Sequence, residues 1–186
     1  MAPRIPRLEG AAAHARPTGG DAQLLERVER EVARVVRRTV VTALHANATA
    51  GRDRDAQPIF VLNDGIGVEG VQLAANAKAI ACGVIAGVLD SGGDLARAAQ
   101  EIVRIAMQQA QLAGADVALV ALRAIDGVTL GAAEAGADPT ETIRAASRNA
   151  LRTAAGLSVI AAKTIRVVLG DALDVLAPAP VMAATS

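Results

Sequence analysis

The residues that could carry out chemistry in this chain are few and widely spaced. The 186-residue sequence has one cysteine, Cys82, and two histidines, of which only His45 falls within the part predicted to fold. Nucleophilic or metal chemistry needs several such groups brought together, as in a Ser–His–acid triad or a set of His and Cys ligands. No such arrangement and no phosphate-binding loop is recognisable by spacing. We therefore expect no catalytic residue, no metal and no cofactor, and we expect Cys82 to be a small buried apolar residue.

Four acidic residues lie close to predicted helix boundaries, and their clustering could be mistaken for a metal site. They are Asp90, Asp94, Glu134 and Asp138. An aspartate before the first turn of a helix accepts hydrogen bonds from N–H groups that have no partner within the helix. We therefore interpret these acids as residues that cap helix ends.

The overall composition excludes several classes of function. Lys+Arg and Asp+Glu are equal at 19 each, so no net field attracts nucleic acid, and one Phe with no Trp or Tyr offers no stacking surface for bases. The longest stretch without a charge, residues 39–51, contains His45 and is shorter than the roughly 20 apolar residues of a spanning helix. We expect no transmembrane segment and no nucleic-acid partner. A single cysteine fits a reducing compartment, so we expect a cytoplasmic protein.

Glycine and aspartate recur along the chain at a spacing of 22 residues. The recurring pairs are Gly92 with Asp94, Gly114 with Asp116, and Gly136 with Asp138. A shift of 44 residues gives a better match, because it also superimposes Gly83 on Gly127 and Gly87 on Gly131. An internal repeat of this length is typical of stacked supersecondary units.

The first long helix is predicted to begin at an Asp21 N-cap and to reach about Ala50. Its apolar residues alternate by three and four, which is typical of a coiled coil; they are Leu25, Val28, Val32 and Val35. Arginine and glutamate occupy much of the remaining surface. We interpret that charged surface as a solvated helix face, and the alternative is a face that binds an anion or a partner.

The remaining boundaries predict an all-α fold of long antiparallel helices in a bundle with an internal repeat of about 44 residues. Residues 51–57 are predicted to form a polar loop, and Gly92-Gly93 and Gly136 with Pro139 are strong helix breakers. A lone glycine costs a helix only about 1 kcal/mol, so Gly114 need not turn the chain. We favour four long helices with bends near Asp64-Gly65 and Gly114. The alternative is a helical hairpin in each unit, which gives a short solenoid.

Both ends of the chain differ in composition from the predicted helical domain at 21–176. Residues 1–20 contain three prolines and a Gly-Gly pair and are predicted to be a disordered arm, with an organellar presequence as the alternative. Residues 177–186 are predicted to be a flexible tail.

Two pairs of glycines four residues apart are candidate helix-packing residues. They are Gly83 with Gly87 and Gly127 with Gly131. Small residues at this spacing share one helix face and allow two backbones to approach closely. We interpret both pairs as core packing, and the alternative is association of the membrane type.

Two resemblances accompany these patterns. With their Ala-Gly helices and Gly-Ala-Asp turns, residues 79–89 and 124–139 resemble bacterial alanine- and glycine-rich helical repeat proteins of unknown function. Residues 68–89 are similar, in size and composition more than in motif, to phasins, which coat polyester storage granules. The second resemblance implies a possible lipid or polymer surface as partner, and neither carries functional residues over.

The sequence supports three hypotheses about function. The first is a non-enzymatic helical scaffold that self-associates through its small-residue faces, and a homo-oligomer is expected because residues 117–133 and 157–176 have more apolar surface than one neighbouring helix covers. The second is an amphipathic coat for a lipid or polyester-granule surface. The third is an enzyme with no recognisable motif.

Overall fold

In the computed structural model, residues 19–49 and 70–175 are described, and every regular element within them is an α-helix. The all-α prediction is therefore confirmed for these residues. The helices are α1 (Gly19–Thr49), α2 (Gly70–Asp90), α3 (Leu95–Leu112), α4 (Val117–Glu134), α5 (Pro139–Leu157) and α6 (Val159–Val175). Residues 1–18 of the predicted arm (1–20), the loop and Asp64-Gly65 bend, and the tail lie outside the described residues. Helix α1 begins at Gly19, two residues before the predicted Asp21 cap.

The chain turns at Gly114, so the favoured prediction of one long helix bent near this residue is wrong and its alternative, a helical hairpin, is found. Gly114 has a φ of 65°, a left-handed conformation that glycine adopts without steric cost. The N–H of Ala115 donates to the carbonyl of Ala110 at 2.8 Å, which is the closing bond of a Schellman turn. Asp116 then accepts hydrogen bonds from the first N–H groups of α4. A single glycine is tolerated within a helix. Here Gly114 ends α3 and Asp116 caps the start of α4.

The same construction is found on either side of this turn. Gly92 and Gly136 have φ of 68° and 79°, and Asp94 and Asp138 cap α3 and α5. A single extended residue, Ser158, separates α5 from α6. These breaks give six helices in the described residues, where we expected four.

The directions of neighbouring helices differ from those of an antiparallel bundle. Contacts between α1 and α2 advance together along both helices: Glu29 pairs with Lys78, and Arg37 pairs with Asp90. The two helices are therefore parallel. The expectation of antiparallel neighbours is wrong for this pair. Only a short connection forces consecutive helices to be antiparallel, and residues 50–69 separate α1 from α2.

Helices α2 and α4 are also parallel. Gly127 lies against Lys78 and Ala81, and four residues later Gly131 lies against Cys82. Since α3 joins the end of α2 to the start of α4 by short turns, it must run in the opposite direction.

The helices lie in two layers. Helix α2 packs extensively on both α1 and α4, and α4 also contacts α6, so α1, α2, α4 and α6 follow one another across the first layer. Helices α3 and α5 pack on each other and against the first layer. The core between the layers is built mainly from alanine and branched aliphatic residues. Its largest fully buried apolar side chains include Leu73, Ile85, Met107 and Ile165.

One helix in the described residues, Gln72–Asp90, is long and apolar enough by length and composition to cross a membrane. Within the fold, 78% of that window is buried against neighbouring helices. A core helix packed on both sides meets the same criterion, so the finding is weak evidence for a membrane span.

Candidate functional site

A groove with a volume of about 340 Å³ runs along α2 between α1 and α4. Its floor is α2, where Ala79, Cys82, Gly83 and Ala86 present small side chains or none. Charged side chains, mostly from α1, form much of its walls. Those charged residues are Glu26, Glu29, Arg30, Arg34, Arg37, Lys78 and Glu134.

Two predicted packing glycines, Gly83 and Gly87, bring α2 close to α1. A Cβ atom built at Gly83 would overlap the carbonyl oxygen of Ala33. At Gly87 it would lie 2.8 Å from the Cβ atom of Val40, closer than real Cβ atoms come. The two backbones can approach this closely only because both positions are glycine.

The other predicted pair, Gly127 and Gly131, brings α4 close to the opposite side of α2. A Cβ atom at Gly127 would overlap the carbonyl oxygen of Lys78, and one at Gly131 would lie 2.5 Å from that of Cys82. All four glycines therefore lie at contacts within the chain. Their faces are occupied by the protein's own helices, so a second copy would have to use a different surface.

A charge network centred on Glu29 joins the three helices of the groove. The Glu29 side chain is 11% exposed, and one carboxylate oxygen accepts from Lys78 Nζ at 2.9 Å. The other oxygen accepts from an Arg123 guanidinium nitrogen at 3.2 Å. One carboxylate thus neutralises two cations from two different helices. Because Lys78 and Arg123 are far from Glu29 in the sequence, no local motif indicated this network.

A second ion pair connects the α1 wall to the end of α2. Arg37 donates two hydrogen bonds to Asp90, at 2.6 and 2.8 Å. These hydrogen bonds hold the pKa of Asp90 below its ordinary value and raise the pKa of Arg37. Because the folded pKa of Asp90 is lowered, its contribution to stability is present above the ordinary pKa and is lost as the pH falls through the lowered one. Asp90 is therefore an ion-pair residue, and its prediction as a cap is wrong.

Cys82 lies beneath the groove as a buried thiol. Its Sγ donates to a carboxylate oxygen of Glu134 at 3.6 Å, so this acid also has a role other than capping. Burial, reinforced by the negative charge of Glu134, raises the pKa of Cys82 to about 12. A thiol is a nucleophile and a metal ligand only when it is deprotonated, so this cysteine is poorly suited to either task at neutral pH.

We expect Cys82 to react slowly with a thiol reagent in the native protein. An aromatic disulfide reagent at pH 8 should modify it at a rate at least about a hundredfold below that of the same chain in guanidinium chloride, because both burial and the raised pKa suppress the thiolate. The absorbance of the released chromophore measures both rates. Equal rates would place Cys82 in an accessible, ionised environment.

The remaining chemistry-bearing residues do not converge on the groove. His45 is exposed near the end of α1 and does not line it. Asp94 and Asp138 cap α3 and α5 as predicted. Within residues 19–49 and 70–175, no group of three or more His, Cys, Asp or Glu side chains is placed to hold a metal ion.

Two exposed apolar surfaces lie outside the groove. One is the α1 stripe, defined as Leu25, Val28, Val32 and Val35, of which three residues are between 45% and 57% exposed. The other is the α6 surface, defined as Val159, Ile160, Val167 and Val168, which are all exposed. Helix α4 packs against α2, α3, α5 and α6 and buries most of its apolar residues. The expectation that residues 117–133 need a second copy to cover them is therefore wrong.

Comparisons with protein-family models, with curated proteins and with solved structures find no match for this chain.

Proposed function

We propose that this protein is a non-enzymatic helical scaffold that self-associates through the α1 stripe. One observation carries the proposal: among the described helices the α1 backbone packs closely on α2 alone, with α4 joined to α1 by the Arg123–Glu29 ion pair. Helix α1 therefore leaves Leu25, Val28 and Val35 exposed along its length. Leu24 beside them is 62% exposed. Contiguous apolar surface of this kind marks interaction sites on soluble proteins.

The scaffold itself is proposed to be a short solenoid built on the 44-residue repeat. Each unit is a helical hairpin, α2 with α3 and then α4 with α5, and the three Gly-x-Asp turns support this division. Helices two apart in the chain pack on each other, as in stacked repeats. Ser158 lies 22 residues after Gly136, at the position where the next turn glycine of the repeat would fall.

The chemistry of the groove supports a structural role. Its cations Arg30, Arg34, Arg37 and Lys78 each form an ion pair with a carboxylate of the chain. The pairs of Arg37 and Lys78 join α1 to α2, and those of Arg30 and Arg34 lie within α1. Such pairing favours a structural role for these charges over polarising a substrate. A buried thiol with a raised pKa adds no nucleophile.

A second candidate function is a coat for an anionic lipid or polyester-granule surface. The α6 surface favours it, because Lys163 and Arg166 are exposed on the same helix. Exposed apolar residues together with basic ones on one helix favour binding to an anionic interface.

Paired variants distinguish the two functions. Val28→Ser with Val35→Ser removes apolar surface from α1, and Ile160→Ser with Val167→Ser does the same on α6; all four side chains are exposed in the single chain, so folding should survive. We expect the α1 variant to weaken self-association in sedimentation by at least about tenfold, and the α6 variant to leave it unchanged.

Flotation with anionic liposomes or polyester granules completes the comparison. If the unaltered protein is monomeric and floats with these particles, and only the α6 variant fails to float, the coat replaces the scaffold as the proposed function. Self-association that the α1 variant does not weaken would overturn the assignment of the stripe.

A further inference from the structure

The α1 stripe is separate from the contact between α1 and α2. The residues of α1 that face α2 include Glu29, Ala33, Val36, Arg37 and Val40. At 3.6 residues per turn, the centre of the stripe lies about 110° around the helix from the centre of that contact. Another helix can therefore pack on the stripe while α2 keeps its place.

The spacing of the stripe is that of a two-stranded coiled coil. Leu25 and Val32 occupy a positions of a heptad, and Val28 and Val35 occupy d positions. Thr39 continues the pattern at the next a position. The helix whose apolar stripe has the same length and spacing is α1 of a second copy.

The charged residues beside the stripe distinguish the two possible orientations. In this register Glu31 and Arg38 are at g positions, and both are exposed. Antiparallel pairing brings g positions of the two helices together, so Glu31 of each copy would lie beside Arg38 of the partner subunit. Parallel pairing would instead place Glu31 beside the partner's Val36, which packs against α2 in its own chain. The antiparallel orientation alone pairs these opposite charges.

We infer that two copies of this chain pair through the α1 stripe as an antiparallel coiled coil, with Glu31 of each copy against Arg38 of the partner subunit. The inference rests on the proposed self-association and adds its orientation and its residue pairs. The two-fold axis passes between Val32 and Val35, so Val28 packs against the partner's Thr39.

This geometry has room for α2 of both chains. The two-fold axis is perpendicular to both α1 helices, so each α2 lies on the same side of the pair. Because the α2 contact is more than a quarter turn from the stripe, each α2 is displaced outward and away from the other.

Disulfide cross-linking of the full chain tests the orientation. In a Cys82→Ala background, Val28→Cys and Thr39→Cys are made singly and together. In the antiparallel pair, position 28 lies about 16 Å along the axis from its own counterpart, at 1.5 Å per residue. That distance is too long for a disulfide, whereas position 28 faces position 39. We expect a covalent dimer from the double variant under mild oxidation and none from either single variant.

Charge reversal is an independent test of the same pairs. Glu31→Arg and Arg38→Glu each place like charges together, so each should raise the dimer Kd about tenfold at low salt. The double reversal restores opposite charges and should return the Kd to within about threefold of the unaltered chain. Glu26→Arg is the matched control on the same helix. Position 26 lies away from the stripe, so this change should alter the Kd by less than about twofold.

The outcomes separate this inference from the proposed function. A self-associating chain in which Val28→Cys alone cross-links is parallel, which would overturn the inference and leave the scaffold standing. The inference would also be overturned if the chain self-associates but the double-cysteine variant forms no covalent dimer and charge reversal leaves the dimer Kd unchanged. A chain that is monomeric at every concentration would overturn both proposals.

Discussion

Replacing Gly83 and Gly87 together by leucine is expected to lower the free energy of unfolding by about 1–3 kcal/mol per site. Gly83 lies against the carbonyl oxygen of Ala33, and Gly87 lies against Val40 and the backbone of Arg37. Backbone atoms cannot rotate away as a side chain does, so α1 must separate from α2. Urea and thermal denaturation, followed by circular dichroism, measure the loss.

Gly156 provides the matched control for this prediction. It lies in α5, and nothing lies within 4 Å of a Cβ atom built there. Gly156→Leu should therefore stabilise the protein by up to about 1 kcal/mol, because leucine is a better helix former than glycine. An unchanged melting transition in the Gly83 and Gly87 variant would place these two residues at the surface and contradict the packing of α1 on α2.

Replacing Glu29 by glutamine is expected to destabilise the protein by about 1–3 kcal/mol. The change keeps the shape of the side chain and removes its charge. Lys78 and Arg123, each less than one-third exposed, would then lose the carboxylate that neutralises them. The cost arises from leaving the partly buried Lys78 without a counter-charge, while Arg123 keeps only its more exposed partner Asp126 at 3.5 Å.

Glu26→Gln is the control for the charge network. Glu26 pairs with Arg30 on the same helix, and both side chains are 66% exposed, so this change should cost less than about 0.5 kcal/mol. Adding Lys78→Met to Glu29→Gln should recover part of the loss, because it removes the cation whose ion pair was with Glu29. Equal effects of Glu26→Gln and Glu29→Gln would show that the network contributes no more than a surface pair.

The local features of the fold could be predicted from the sequence because their causes are local. Asp94 and Asp138 cap helices as expected. A turn at Gly114 was only the alternative prediction, because the cost of one glycine in a helix is too small to decide between a bend and a turn. The information was present in the repetition: Gly114 with Asp116 has the same spacing as Gly92 with Asp94.

The non-local features could not be predicted, because they depend on which helices become neighbours. Glu29 lies 49 residues from Lys78 and 94 from Arg123, and nothing in their spacing relates them. The glycine pairs were predicted to pack against helices, but the sequence did not indicate that both helices would be neighbours within the chain. Because both glycine faces are occupied by helices of the same chain, the proposed self-association uses the α1 stripe instead.

Sedimentation velocity of the unaltered chain over a wide concentration range is the most direct test of the proposed scaffold. The account predicts a reversible equilibrium in which dimer increases with concentration, together with a fall in hydrophobic-dye binding per chain as the dimer covers the α1 stripe. A single monomeric species at every concentration would contradict it. If that monomer bound the dye strongly, the coat function would take its place.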